Sequence, residues 1–284
     1  MTTQLPDDIS LGPVELRVAD RTSAGAWLER VLGLRVLAGE SSTVRYGAPE
    51  ARTLVVLREQ PGLRHVPPRG LLGLYHYAIL LPSRADLGRL LVHLDAIDEK
   101  FGASDHLFSE AIYLTDPDGL TVEVYADRPR ETWVYRDGNV VGTLDPLDAD
   151  GLVRAAGASR WQGMPEGARM GHLHFYTGDL AVAERFYMHG LGFAASTRLF
   201  PGALFVAAGG YHHHVGLNVW AAQQPVSSAA DAGLDAWSLV IPSAAERAAV
   251  SARLAGQGVA LESSGSDTLA RDAWGITVRI RGSE

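Results

Sequence analysis

The chain has 284 residues, 46% apolar and 20% charged, a composition that excludes the disordered and fibrous classes. Its net charge of −8, with the basic residues scattered, argues against a nucleic-acid partner, and no apolar run approaches the roughly 20 residues that span a bilayer. Cysteine is absent, so disulfides and thiolate metal sites are excluded and any metal must be held by histidines and carboxylates. The opening MTTQLPDDIS lacks the basic start and apolar core of a signal peptide, and the cytoplasm is the expected compartment.

Taken in order, the predicted elements repeat four times as a short apolar strand, an amphipathic helix and then further strands. The first unit opens at LGPVELRVAD (11–20), continues through the helical AWLERVLGL and closes near TLVVLRE. The second opens at GLYHYAILLPS (73–83), carries the helix DLGRLLVHL and closes at DPDGLTVEVYAD (116–127). A polar stretch, 128–168, rich in Arg, Gly, Asp and Pro, follows as a connector. The third unit opens at GHLHFYTGD (171–179), carries AVAERFYMHGLGF and closes at YHHHVGLNVW (211–220). The fourth opens at AWSLVIPS (236–243), carries ERAAVSARLAGQG and closes at DAWGITVRI (272–280). YAILLPS matches WSLVIPS and DPDGLTVEV matches DAWGITVRI, so His76 corresponds to Ala236 and Glu123 to Arg279. The helices of the first and third units end in LGL and LGF, with glycine where a helix stops. The expected organisation is two modules over 8–127, the connector over 128–168 and two modules over 169–284.

The DPDG…E ending and the LGF after the helix resemble the vicinal oxygen chelate superfamily of glyoxalases, bleomycin-resistance proteins and extradiol dioxygenases. The resemblance extends over nearly the whole chain outside the connector and is closest to the four-module, catechol 2,3-dioxygenase-like branch. It implies an α+β fold of four βαβββ modules forming two cupped mixed-sheet half-barrels, with a metal in a cup shared by two modules.

In that superfamily one ligand lies on the first strand, seven residues before the turn residue that opens the helix. This count gives His172 from Asp179 and His76 from Ser83, but Pro13 and Ala236 in the outer modules. The other ligand lies on the last strand, four residues past the glycine of DPDG, which gives Glu123, against Arg279 in the fourth module. Only the second and third modules together supply two imidazoles and one carboxylate, the set that leaves octahedral positions open on Fe(II). The middle modules are therefore expected to share the metal cup, with the outer pair metal-free. His174, two residues after His172, faces the same side of a strand and is expected in the pocket, with a ligand role as the alternative.

A dioxygenase of this kind also needs an acid–base residue and donors for the developing charge. The family pattern places the acid–base residue at His213, with His212 and His214 as alternatives because only one parity of a strand faces the cup. Tyr113, three residues before Asp116, and His106, which is followed by Ser109, match the family's Tyr and His, although their separation is two residues shorter. His174, His212, His214, Asn218 and Trp220 are the expected substrate-binding residues, with Tyr211 a weaker candidate. Trp27, Trp237 and Trp274 read as packing residues, and Glu15 as a residue facing the vacant outer cup.

The implied function is extradiol cleavage of catechol-type aromatic diols with Fe(II) and O₂, the donor set also accepting Mn(II). The expected partners are a small aromatic substrate and O₂, with no nucleic acid or membrane, and exposed sheet edges point to self-association as a homo-oligomer. Two alternatives stand beside it. A metal-dependent glyoxalase-type isomerase or transferase would want a second glutamate facing the site, and a metal-free sequestering protein would use the histidines only as pocket lining.

Overall fold

The computed structural model describes residues 4–40, 42–49 and 52–283. The first module comprises β1 (Ser10–Val18), α1 (Arg21–Leu32), β2 (Arg35–Gly39), β3 (Thr43–Gly47) and β4 (Thr53–Glu59). The second comprises β5 (Gly73–Leu80), α2 (Arg84–Ala96), β6 (Gly102–Asp105), β7 (Ser109–Thr115) and β8 (Thr121–Asp127). The connector contains a short hairpin of β9 (Tyr135–Arg136) and β10 (Asn139–Val140), then α3 (Ala149–Ala156). In the third module β11 (Arg169–Tyr176) leads to α4 (Leu180–Glu184), which continues as π-helix over Arg185–Leu191. Then come β12 (Ala194–Thr197), β13 (Ala203–Ala207) and β14 (Val215–Asn218). The fourth has β15 (Gly233–Val240), α5 (Ala244–Gly256), β16 (Leu261–Ser264), β17 (Asp267–Arg271) and β18 (Thr277–Arg281).

The same local chemistry starts each module's helix. Asp20, Ser83, Asp179 and Ser243, the turn residues from which the ligand positions were counted, are all N-caps, and each side chain accepts at least one backbone N–H of the first turn. The DPDG and DAWG turns are likewise built alike. Asp116 Oδ1 accepts from the Asp118 and Leu120 N–H groups at 2.9 and 2.8 Å, and Asp272 Oδ1 from those of Trp274 and Ile276, both at 2.9 Å.

Two eight-stranded mixed sheets result. One has the order β12-β13-β14-β11-β5-β8-β7-β6, joining the third module to the second through the antiparallel β5–β11 pair. The other has the order β16-β17-β18-β15-β1-β4-β3-β2, joining the fourth module to the first through β1–β15. The pairing expected from the ligands, middle with middle and outer with outer, is the one observed. Each sheet therefore draws one module from 8–127 and one from 169–284. Side chains of both sheets and of the helices, among them Leu16, Tyr77, Phe175 and Trp237, merge into one buried core. At roughly 1.5–3 kcal/mol for each large apolar side chain removed from water, this core dominates the stability.

The connector is structured and docked. A Cβ at Gly88 in α2 would stand 2.1 Å from the Leu152 carbonyl oxygen, so glycine is what admits α3 against α2. Arg84 bonds Glu110 through two nitrogens at 2.5 and 2.9 Å and the Gly151 carbonyl at 3.0 Å, which fixes α3 to the second module.

In the outer cup, Arg279 donates to Glu15 at 2.8 Å and to Ser264 Oγ at 3.2 Å, so Glu15 is matched by the cation standing where the middle pair has Glu123. Trp237 is wholly buried, and Trp27 and Trp274 pack against the same core, as expected.

Because each sheet needs one module from each half, residues 1–127 or 169–284 produced alone should not unfold cooperatively as monomers. Producing both halves together should restore one cooperative transition, as read by circular dichroism and size-exclusion chromatography.

Candidate active site

The middle sheet brings three polar side chains together by register. Ala78 on β5 pairs with His172 on β11 on one side and with Glu123 on β8 on the other, so His172, Ala78 and Glu123 form a row across three strands. His76 lies two residues before Ala78 and shares its face. The methyl of Ala78 leaves the space above the row open to the longer side chains around it. The two imidazoles and the carboxylate are 2–4% exposed, and their tips converge. His76 Nε2 is 3.3 Å from His172 Nε2 and 3.0 Å from Glu123 Oε2, and His172 Nε2 is 3.1 Å from the same oxygen.

This donor set fits a metal ion. Three ligands at about 2.1 Å on one face of an octahedron stand about 3.0 Å apart, close to the separations observed. Two imidazoles and one carboxylate on one face also leave positions for further ligands. Burial holds His172 neutral, its pKa brought down to about 4, and burial opposes ionisation of Glu123. The two histidines outweigh that opposition and pull the carboxyl well below its ordinary range. Both groups are thus in the basic forms a metal requires. Among the described residues this is the one group of three or more such side chains close enough to hold an ion. The Nδ1 atoms of His76 and His172 meet no protein acceptor, unlike most ligating histidines, whose second nitrogen is usually anchored.

Above the three donors opens a cavity of about 500 Å³, lined also by His106, Tyr113, His174 and His213 on its polar side and by Phe205 and Trp220 on its apolar side. His106 Nδ1 faces the Thr143 carbonyl at 2.9 Å and must carry the proton, so its Nε2 accepts the Tyr113 hydroxyl at 2.7 Å. Burial, with the charge on Glu123, raises the Tyr113 pKa well above the ordinary phenol value and keeps it protonated. The shortened spacing between His106 and Tyr113 therefore still brings the pair into contact. The ring of His213 lies 4.2 Å from that of His172, and burial holds it well below the ordinary imidazole range.

Other expectations are corrected by the local geometry. The segment Tyr211–His214 is not strand: β14 begins at Val215, so strand alternation does not govern which histidine faces the cup. His213 lines the cavity, whereas His212 turns to Asp127 at 2.9 Å. His214 accepts the Ala208 N–H at 3.2 Å behind the wall. Tyr211 donates to Asp127 at 2.9 Å and lies outside the cavity as well. His174 does line the cavity, but its Nε2 accepts from Asn218 at 2.9 Å and so is turned away from the three donors. Asn218 is wholly buried and does not line the cavity: its amide nitrogen donates to His174 at 2.9 Å and its oxygen accepts the Trp220 N–H at 3.0 Å. Trp220 lines the mouth as expected, though from beyond the end of β14.

Sequence reasoning missed Tyr75, Phe108, Phe200 and Phe205 of the lining, as well as Arg69 and Leu144 at its rim. Tyr75 directly precedes His76, so strand alternation would send it to the other face; it reaches the cavity beside the irregularity in the β5–β11 register, which the sequence does not mark. Leu144 comes from the connector, where nothing in the sequence marks it. Its segment is held by two reciprocal backbone bonds between Asp105 and Asp145 at 2.9 and 3.0 Å.

Comparison with known proteins agrees with this architecture. The profile of the Glyoxalase/Bleomycin resistance protein/Dioxygenase superfamily matches residues 10–124. A protein of Bacillus subtilis (strain 168) named catechol-2,3-dioxygenase is 38% identical over 263 residues, covering 92% of each chain. Solved structures sharing the fold include one from Bacillus subtilis, with TM-score 0.68 and 11% identity over 98% of this chain and 86% of the other. A glyoxalase I mutant from Zea mays has TM-score 0.60 and 14% identity over 96% and 94%. The chain belongs to the glyoxalase, bleomycin resistance and dioxygenase superfamily. Within it, the chain is a catechol-2,3-dioxygenase homologue.

Replacing His76, His172 or Glu123 by Ala should each lower bound metal by more than tenfold after dialysis at neutral pH, measured by elemental analysis, with far-ultraviolet dichroism unchanged. The metal-free protein should also be acid-labile. Burial holds His172 and His214 neutral down to about 4 and about 3, and it likewise holds His174 and His213 well below the ordinary imidazole range. The unfolded chain takes up these protons near pH 6.5 while the folded one does not, so their contribution is complete above that pH and is lost as pH falls. Asp116 and Asp272, raised by burial to about 7 and about 6, act in the opposite sense. Four against two, the urea midpoint should fall between pH 6.5 and 5.

Proposed function

We propose that the chain is an extradiol dioxygenase that opens catechol-type aromatic diols with O₂, using Fe(II) held by His76, His172 and Glu123. The observation that carries this reading is the combination, in one cavity, of the three converging donors with a neutral histidine at His213 and a Tyr113–His106 pair. The relationship to a catechol-2,3-dioxygenase over 92% of the chain supports it. When bound, Fe(II) supplies the redox chemistry that couples the diol to O₂.

The protein's own part is binding, orientation and proton handling. His213 takes the proton of one diol hydroxyl as general base and returns it later as general acid. Its neutral state at working pH follows from burial, which leaves a lone pair available at the start of the cycle. Tyr113 presents its oxygen to the cavity while its proton points to His106, so it first accepts a hydrogen bond from the second hydroxyl. Rotating that proton towards the substrate turns the same phenol into a donor as negative charge builds on the ring oxygen. The tyrosine can serve both stages because the Thr143 carbonyl keeps His106 in the tautomer that accepts. Phe200, Phe205, Trp220 and Leu144 supply the apolar part of the lining against which an aromatic ring can pack. Among the described residues lining the cavity, Glu123 is the one carboxylate, whereas a glyoxalase-type proton transfer wants a second.

Protein loaded with Fe(II) without air, then mixed with catechol or 4-substituted catechols and O₂, should consume one O₂ per yellow ring-fission product. His213→Ala should lower kcat by roughly 10²–10⁴-fold with metal content intact. Bound metal with no O₂ uptake, together with isomerisation of a hemithioacetal, would instead place the chain with the isomerases.

A further inference from the structure

Behind the cavity wall lies a chain of polar groups that the proposed reaction does not yet use. Asp127, at the end of β8, places Oδ1 2.9 Å from His212 Nε2, and its Oδ2 accepts the Tyr211 hydroxyl at 2.9 Å. His212 Nδ1 stands 2.8 Å from Nδ1 of His213. His212 is 1% exposed and is clamped by the ring of Phe108, stacked at 4.4 Å, and by Trp133 at 5.3 Å. The ring cannot turn to exchange its nitrogens without displacing both.

The proton positions follow from what each atom can do. A carboxylate only accepts, so His212 Nε2 carries the hydrogen directed at Asp127. With the Nε2 hydrogen of His212 spent on Asp127, its Nδ1 serves as the acceptor, so the hydrogen between the two rings belongs to His213 Nδ1. His213 is left with a bare Nε2, and Nδ1 being engaged behind the wall, Nε2 is the nitrogen available to the cavity. We infer that Asp127 and His212 are positioning residues that fix His213 as its Nδ1–H tautomer, so that a lone pair rather than a proton meets the incoming substrate.

The consequence for catalysis rests on the dioxygenase reading above, whereas the tautomer itself does not. Two neighbouring histidines thus have different tasks: one touches the substrate, the other decides which of its nitrogens is basic. The sequence distance of one residue between them is possible because this segment is irregular, which lets both rings meet edge to edge instead of pointing to opposite faces.

The test uses the full-length protein and two variants. His212→Leu removes the acceptor while keeping an apolar filling, and His212→Asn returns an oxygen close to where Nδ1 stood. Long-range ¹⁵N–¹H correlation spectra of the imidazoles, recorded on the purified metal-free protein, read the tautomer directly. The expected result is Nδ1–H at His213 in the unaltered protein and in His212→Asn, and loss of that signature in His212→Leu. In catechol turnover His212→Leu should lose roughly 10–100-fold in kcat with KM changed less than threefold, and His212→Asn should recover most of it. An Nε2–H signature at His213 in the unaltered protein overturns the inference. So does equal kcat in the Leu variant and the unaltered protein, or equal loss in both variants. If the unaltered protein turns over no catechol, the dioxygenase reading fails, and the spectra alone still decide the tautomer.

Discussion

The antiparallel register of β5 against β11 is the constraint on which the rest of the molecule depends. It sets His172 beside Ala78, and the parallel register of β5 with β8 sets Glu123 on the other side of the same alanine. Because side chains alternate along a strand, a slip of one residue would turn His172 and His174 to the opposite face and dissolve the donor set. The buried core on the other face of the sheet opposes any such slip, since Leu173 and Phe175 would exchange places with the histidines. Apolar packing on one side therefore specifies polar geometry on the other.

Around that register, burial does the electrostatic work. His172, His174, His213 and His214 are kept neutral by loss of water, and Tyr113 is kept protonated for the same reason. Within the donor set the negative charge rests on Glu123, where imidazoles stabilise it. A site arranged this way offers lone pairs to a cation and to acidic hydroxyls alike, and it does so without spending protons on its own histidines.

Much of the fold was legible because the module announces itself locally. The N-caps Asp20, Ser83, Asp179 and Ser243 start the helices through their own side chains, so counting back from them reaches equivalent positions on four first strands. The vacancies at Pro13 and Ala236 then told which modules pair. The parts that were not legible depend on chain segments distant in sequence. Strand parity failed at His212 and His214 because the segment before Val215 is irregular, and its ring orientations are decided by Asp127, Phe108 and Trp133. Thr143 and Leu144 looked like linker, yet the Thr143 carbonyl holds His106 and the Leu144 side chain lines the cavity, contacts made far from the module in sequence.

The ion pair of Arg279 with Glu15 gives the two halves of the molecule different freedoms to change. A guanidinium already neutralises the acid in the outer cup, so no cation is drawn there, and removing the arginine would strand a carboxylate without supplying a ligand set. Turning that cup into a second metal centre would require new donors at Pro13, Ala236 and Arg279 together, and no single exchange along the way brings a gain. Without such a donor set among its described residues, the outer sheet is free of the register that metal binding would impose, which leaves its surface open to drift or to acquire a role of its own.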